Sequence, residues 1–387
     1  MKSAWLAAAC ALAASMVASL VLAQPPTAAP PVAAAPETVE LDDLDDLLAD
    51  DLLGDDLFSS LAGAPHMYGD FLATGLGYSG GAVGNPLTFQ LGLSGTLSRQ
   101  KIGDHNSPFP QHRCYFVYNH YHHALSTDLT NFGGGATSLD IDRYLVGVER
   151  PFANGLMSCE LRLPTFGHTD FTGAIAGFDS SQIGDLSVIL KALLYADQQI
   201  AWAAGMGVTT PTGGDTTGVI GPFNFRVHAD AVYLLPYTAI SLQPQEDTFV
   251  QLFTQLDIPL SGNPIDIGGI PVPGRVGVYN EQLLMQFDLQ AGRWLYRDGA
   301  GRALAAMGEL HYTSSLEDSD LVQGQTGGSP LNFRNLANRF DILNFTSALH
   351  LELSSTTVVR IGATLPLRDQ TDRTFDAEVS AMVMVRR

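Results

Sequence analysis

The residues of this 387-residue chain best suited to chemistry are its histidines and the acids, bases and hydroxyls near them. His120, His122 and His123 form one group. On an extended strand side chains alternate, so His120 and His122 share a face. Two imidazoles are half of a transition-metal site, and no carboxylate or cysteine at ligand spacing along the chain completes it. No metal is expected. The aromatic neighbours Tyr115, Phe116, Tyr118 and Tyr121 suit an interfacial belt instead. His311 lies beside Ser314 and Ser315, with Asn344 one strand further on. A hydroxyl nucleophile needs a base and an orienter, and no glycine-flanked nucleophile motif accompanies these residues. No phosphate loop or dinucleotide fingerprint is present either. The chain therefore reads as a non-enzyme without a cofactor.

A larger set of charged residues shares a different property: each falls on the polar face of an alternating segment. They are Arg143, Glu149, Glu160, Arg162, Lys191, Glu309, His311, Glu352, Arg360 and Glu378. In 357–367, Val359, Ile361, Ala363, Leu365 and Leu367 oppose Arg360 and Thr364. In 248–259, Val250, Leu252, Leu256 and Ile258 oppose Gln251, Gln255 and Asp257. Twelve such segments follow one another from His112 to the C-terminus, near 112–123, 137–150, 154–164, 184–196, 199–210, 229–241, 248–259, 282–297, 302–314, 340–353, 357–367 and 375–386. Segments of roughly ten residues with one apolar face cross a bilayer as tilted strands. The links between them alternate short (151–153, 197–198, 242–247, 298–301, 354–356) and long (124–136, 165–183, 211–228, 260–281, 315–339), the habit of an outer-membrane barrel. The expected fold is an all-β, antiparallel transmembrane barrel of about 12 strands, with both termini periplasmic. Its apolar face would meet lipid. Its charged face would line a lumen and a solute path, or fill it with ion pairs.

The long links are unusually apolar. Phe166, Phe171 and Phe178 lie in one, Phe223 and Phe225 in the next, and Ile267 and Ile270 in a third. Apolar groups at a mouth collect a hydrophobic ligand, or fold inward to cover the pore.

Ahead of the barrel, residues 1–23 read as a signal peptide, with Lys2, an apolar run and cleavage after Ala23. Residues 24–65 hold a Pro/Ala-rich linker and an acidic leucine-rich tract. Between Glu37 and Asp56 stand ten acids and no base, half of the net charge of −20. The tract is either an amphipathic helix docking a periplasmic partner or a solvated tail. Residues 66–111 are Gly-rich and read as a plug or lead-in, and 112–387 as the barrel. This acidic balance excludes a nucleic-acid partner. Cys114 and Cys159 fall on lipid-facing positions of strands that are not neighbours, so free thiols are expected.

The stretch Ile183-Gly184-Asp185-Leu186 to Lys191, followed by Ala204 to Gly213 with its Pro211-Thr212-Gly213 ending, resembles the outer-membrane transporters named after the meta-pathway of phenol degradation, distantly akin to long-chain fatty-acid channels. Lys101–Asn119 and Glu309-Leu310-His311-Tyr312 add to the likeness, which covers roughly 100–387. The resemblance implies a barrel passing small hydrophobic or aromatic compounds. Two departures are the Arg386-Arg387 ending, where such barrels commonly finish on an aromatic, and Asn85-Pro86-Leu87, which only loosely matches a plug motif. The alternative is a closed structural barrel whose acidic tract binds a periplasmic partner.

Overall fold

A computed structural model describes residues 64–72, 76–80, 87–90, 99–128, 136–167, 171–172, 176–221, 223–268, 274–326, 329–369 and 372–387. The signal segment, the Pro/Ala-rich linker, the acidic tract, Asn85-Pro86 and Ile270 lie outside the described residues.

Twelve strands make the wall: β1 (Arg113–Asp128), β2 (Ala136–Phe152), β3 (Met157–Phe166), β4 (Ser187–Ala196), β5 (Ile200–Thr209), β6 (Tyr233–Gln245), β7 (Thr248–Pro259), β8 (Leu284–Arg297), β9 (Ala303–Ser315), β10 (Asp341–Glu352), β11 (Thr357–Pro366) and β12 (Ala377–Arg386). Each pairs antiparallel with the next, and β12 returns to β1 in register from Ala377↔His122 to Arg386↔Arg113. The sheet therefore closes on itself as a barrel. Closure removes the edges that would leave backbone donors unpaired in lipid.

Burial follows the alternation of the sequence. In β3 and β11 the inward residues Ser158, Glu160, Arg162, Val358, Arg360 and Thr364 are buried. Leu161, Leu163, Ile361 and Leu365 face out and stay exposed, as do Val146, Val148, Leu190, Phe287, Leu289, Leu310, Phe345, Val379 and Val383 elsewhere on the wall. A belt of apolar side chains facing outward with charges inward is the inversion that lipid, not water, selects. Among the described residues no helix is long and apolar enough to cross a membrane. Cys114 and Cys159 are free, on outward positions of β1 and β3.

Short turns close one end. In the β2–β3 turn Ala153, Asn154 and Gly155 all take positive φ, and Asn and Gly adopt that conformation at least cost. Asp197 and Asp298 cap their turns by accepting backbone amides two to four residues ahead. The β6–β7 link is shorter than the expected 242–247: β6 runs on to Gln245, leaving Glu246 and Asp247 as the turn.

At the other end the long links differ from irregular loops. The last four are hairpins: Phe171–Thr172 with Ala176–Ser180, Thr216–Ile220 with Phe223–Val227, Asn263–Gly268 with Gly274–Tyr279, and Val322–Thr326 with Ser329–Asn335, while β1 and β2 themselves extend into the first, to Asp128 and from Ala136. The first three hairpins join into one six-stranded sheet. The fourth pairs with Leu76–Gly80, which pairs with Leu87–Gln90, which reaches the upper end of β1. The wall thus continues past the barrel.

Candidate functional site: the filled barrel interior

Residues 64–72 and 99–111 form no helix and no strand, yet nearly all of them are buried. Such a chain must find partners for its amides and carbonyls, because an unpaired buried backbone group costs as much as a lost hydrogen bond. Inward side chains of the barrel supply them. Gln251 donates to the Pro65 carbonyl (2.6 Å) and Gln290 to that of His66 (3.0 Å). Arg360 donates to the carbonyls of His66 and Met67 and lies over the Tyr68 ring. The two oxygens of Glu309 accept the amides of Tyr68 (2.7 Å) and Gly69 (2.9 Å). Arg143 donates to Phe71 O (3.2 Å). On the second arm Gln255 accepts the Ile102 amide (2.6 Å), and Arg162 donates to the carbonyls of Lys101 and Ile102. Arg113 donates to His105 O (2.5 Å), and Lys191 to Phe109 O (3.2 Å).

The chain follows a U. Ala64 packs with Phe249, Trp294 and Ala303 at the short-turn end. Residues 64–72 climb from there, 76–80 and 87–90 join the upper wall, and 99–111 descend into β1. Gly69 sits at the tightest crossing of the two arms. Its φ is +96°, and a Cβ there would lie 2.3 Å from Asp104 Oδ1.

Two charge clusters hold the arms. One joins Arg113, Glu149, Glu160, Arg162 and Lys191. Arg113 bridges Glu149 (2.6 Å) and Glu160 (3.1 Å), Lys191 reaches Glu149 (2.9 Å), and Arg162 reaches Glu160 (3.1 Å). The other centres on Lys101, whose ammonium lies 2.7 Å from Asp70 and 2.5 Å from Asp288. His311 joins it at 2.8 Å from Asp288 and 3.1 Å from Glu309. Nearer the mouth, Arg99 pairs with Asp257 (2.9 Å) and Glu281 (3.5 Å). Burial pushes the Glu281 carboxyl up to about 7, with the Arg99 charge opposing it.

Nine of the ten charged positions expected to face inward are buried: Arg143, Glu149, Glu160, Arg162, Lys191, Glu309, His311, Arg360 and Glu378. Glu378 stands apart from both clusters and accepts from Asn119 (2.7 Å). Glu352 is the tenth. It lies partly exposed by the short turns, with Arg386 at 2.5 Å. Lys101, Asp70, Arg99 and Arg113 are central to the site but were not among those positions. The first three sit on stretches with no period to read, and Arg113 opens the first strand. The ring nitrogens of His311 face Asp288 and Glu309. Ser314 donates to Asp341, Ser315 to the Phe340 carbonyl and Asn344 to Asp70.

At the mouth, Phe178, Phe225 and Ile267 are buried together with Leu76, Tyr78, Val227, Tyr279, Leu331 and Phe333, and Phe223 packs against them. Phe166 is elsewhere, lower in the barrel with Leu72, Tyr121 and Phe375. Phe171 lies in its two-residue strand.

No protein-family model and no curated protein sequence matches the chain. Among solved structures it is similar to outer-membrane β-barrels. One is an outer-membrane channel from Pseudomonas putida F1, with 12% identity and TM-score 0.46, covering 74% of this chain and 99% of that one. Another is a variant of the TodX monoaromatic hydrocarbon channel, with 9% identity and TM-score 0.41, covering 76% and 92%. The NanC porin has 11% identity and TM-score 0.36, covering 71% and 98%.

Proposed function

We propose that this chain is an outer-membrane barrel that passively admits small hydrophobic or aromatic solutes, with the short turns and both termini on the periplasmic side. The observation that carries this reading is the polar mounting of the inner segment. Residues 64–72 and 99–111 are held by side-chain hydrogen bonds and ion pairs rather than by strand pairing, so they can shift without unzipping the wall. The apolar cluster at the mouth offers the first contact for a hydrophobic solute. The solute class itself comes from the resemblance at 183–191 and 204–213.

The same packing favours a second reading, a sealed structural barrel, because ion pairs and chain fill the lumen wherever the charged clusters stand. The acidic tract at 37–56 would then carry the contact with a periplasmic partner. Purified barrel in lipid vesicles decides between them. Uptake of a small aromatic such as toluene above the rate of empty vesicles supports the channel. Vesicles that stay as tight as empty ones overturn it.

A further inference from the structure

The outer face of the barrel carries a second assembly of ligand-type side chains, outside the lumen and unused by any passage. β1 and β2 pair in register up to Tyr121↔Ile141 and resume at Leu125↔Leu139. The surplus residues form a bulge, and His123 within it takes φ +54°, a conformation that non-glycine residues adopt at a cost. The bulge turns two successive side chains, His122 and His123, to the same exposed side. They stack with ring centroids 3.7 Å apart. Across the pair stands Asp140. One of its oxygens accepts the His123 amide (2.8 Å) and lies 3.0 Å from His122 Nδ1, while the other lies 3.9 Å from His120 Nε2. Nδ1 of His120 is fixed on Asp142 (2.8 Å), which also accepts from the Tyr118 hydroxyl.

We propose that His120, His122 and Asp140 bind a divalent transition-metal ion of the zinc type at the mouth-side rim of the barrel, just above Tyr118 and Tyr144. Their ligand atoms all lie within 4.8 Å of one another. A tetrahedral ion with ligands at about 2.0–2.1 Å needs neighbouring donors about 3.4 Å apart. One Asp140 oxygen lies 3.0 Å from His122 and the other 3.9 Å from His120, and the three ligand atoms lie within 4.8 Å, so side-chain rotation would draw them to that spacing. The hydrogen bond from His120 Nδ1 to Asp142 is the outer-shell carboxylate that orients a metal-bound imidazole and directs Nε2 toward the ion. Side-chain exposures of 37%, 49% and 45% leave a coordination position open to solvent. Imidazole donors select zinc, nickel or copper over calcium and magnesium, which take oxygen ligands. The buried trio Asp70, Asp288 and His311 has comparable ligand spacing. There the Lys101 ammonium already supplies the cation.

The test uses the full barrel, free of any histidine tag and stripped with chelator, folded in detergent and checked by its heat-dependent gel mobility. Zinc titration by calorimetry is expected to give one saturable site per chain. His122→Ala and Asp140→Asn should each weaken it at least about tenfold, and His228→Ala, in a separate His–Asp pair on the outer hairpins, should not. Cobalt bound to the unaltered protein should show the intense visible bands of a low-coordinate site with nitrogen ligands. The proposal is overturned if the unaltered barrel binds no zinc, if the double variant His120→Ala/His122→Ala binds it as before, or if millimolar calcium displaces it.

Discussion

The lower and upper parts of this molecule solve one packing problem in opposite ways. Inside the barrel, the wall surrounds a chain without regular structure, and the filling is charged. At the mouth, the chain folds into hairpins, and the filling is Phe, Tyr, Leu and Ile. The difference follows from where backbone hydrogen bonds go. Hairpins satisfy their own amides, so their inward side chains can be apolar. Residues 64–72 and 99–111 cannot, so Glu309, Gln255, Arg162 and Arg360 must stand opposite them. Buried charge here is a consequence of irregular backbone, and Lys101, Arg113, Arg162 and Lys191 are in turn held by carboxylates.

That contrast can be broken first at Lys101. Lys101→Met leaves Asp70 and Asp288 without their ammonium, and losing one partner of a buried pair costs about 3–5 kcal/mol. Denaturant unfolding of the folded barrel should register the loss, and uptake into vesicles should rise as the arms loosen. At the mouth, Phe333→Ala removes a fully buried ring, at about 3–4 kcal/mol. The effect should be confined to the hairpins, read as faster proteolysis between 316 and 340 with the unfolding midpoint of the wall barely moved. If the wall melts early instead, the two regions are not separate in energy.

A smaller effect separates them by pH. Folded Glu281 keeps its proton up to about pH 7, whereas an unfolded glutamate releases it near 4.3. Between those values folding takes up a proton, so stability falls as pH rises, by about 1 kcal/mol per unit. Glu281→Gln should flatten that slope in pH-dependent unfolding. Smallest of all is Arg275→Ala, which removes an exposed partner of Asp266 on the outer hairpins. A change under about 1 kcal/mol is expected, and a larger one would mean that exposed charge matters at the mouth as buried charge does below.

The wall was legible because period two persists for ten or more residues. Arg360 between Val359 and Ile361 gives its direction without any knowledge of neighbours. The hairpins were not, since five residues such as Thr216–Ile220 hold too few alternations to stand out from a loop. The inner segment was illegible for a different reason: its partners lie far away in sequence, as Tyr68 to Glu309 does, and no local rule encodes that distance. Asp140 could have been found. It shares the outward parity of Asp142, Tyr144 and Val146, and two acids just above an aromatic belt, opposite His120 and His122, depart from what lipid selects.

The U-shaped segment also has a mechanical meaning. Its descending arm runs straight into β1, while the ascending arm is tied to the wall through side-chain bonds, among them those of Gln251, Gln290, Arg360, Glu309, Asn344 and Arg143. These ties succeed one another along the axis. Tension applied at residue 64 from the short-turn end would strain them together, in shear, and the ascending arm would resist a steady pull far better than its lack of secondary structure suggests.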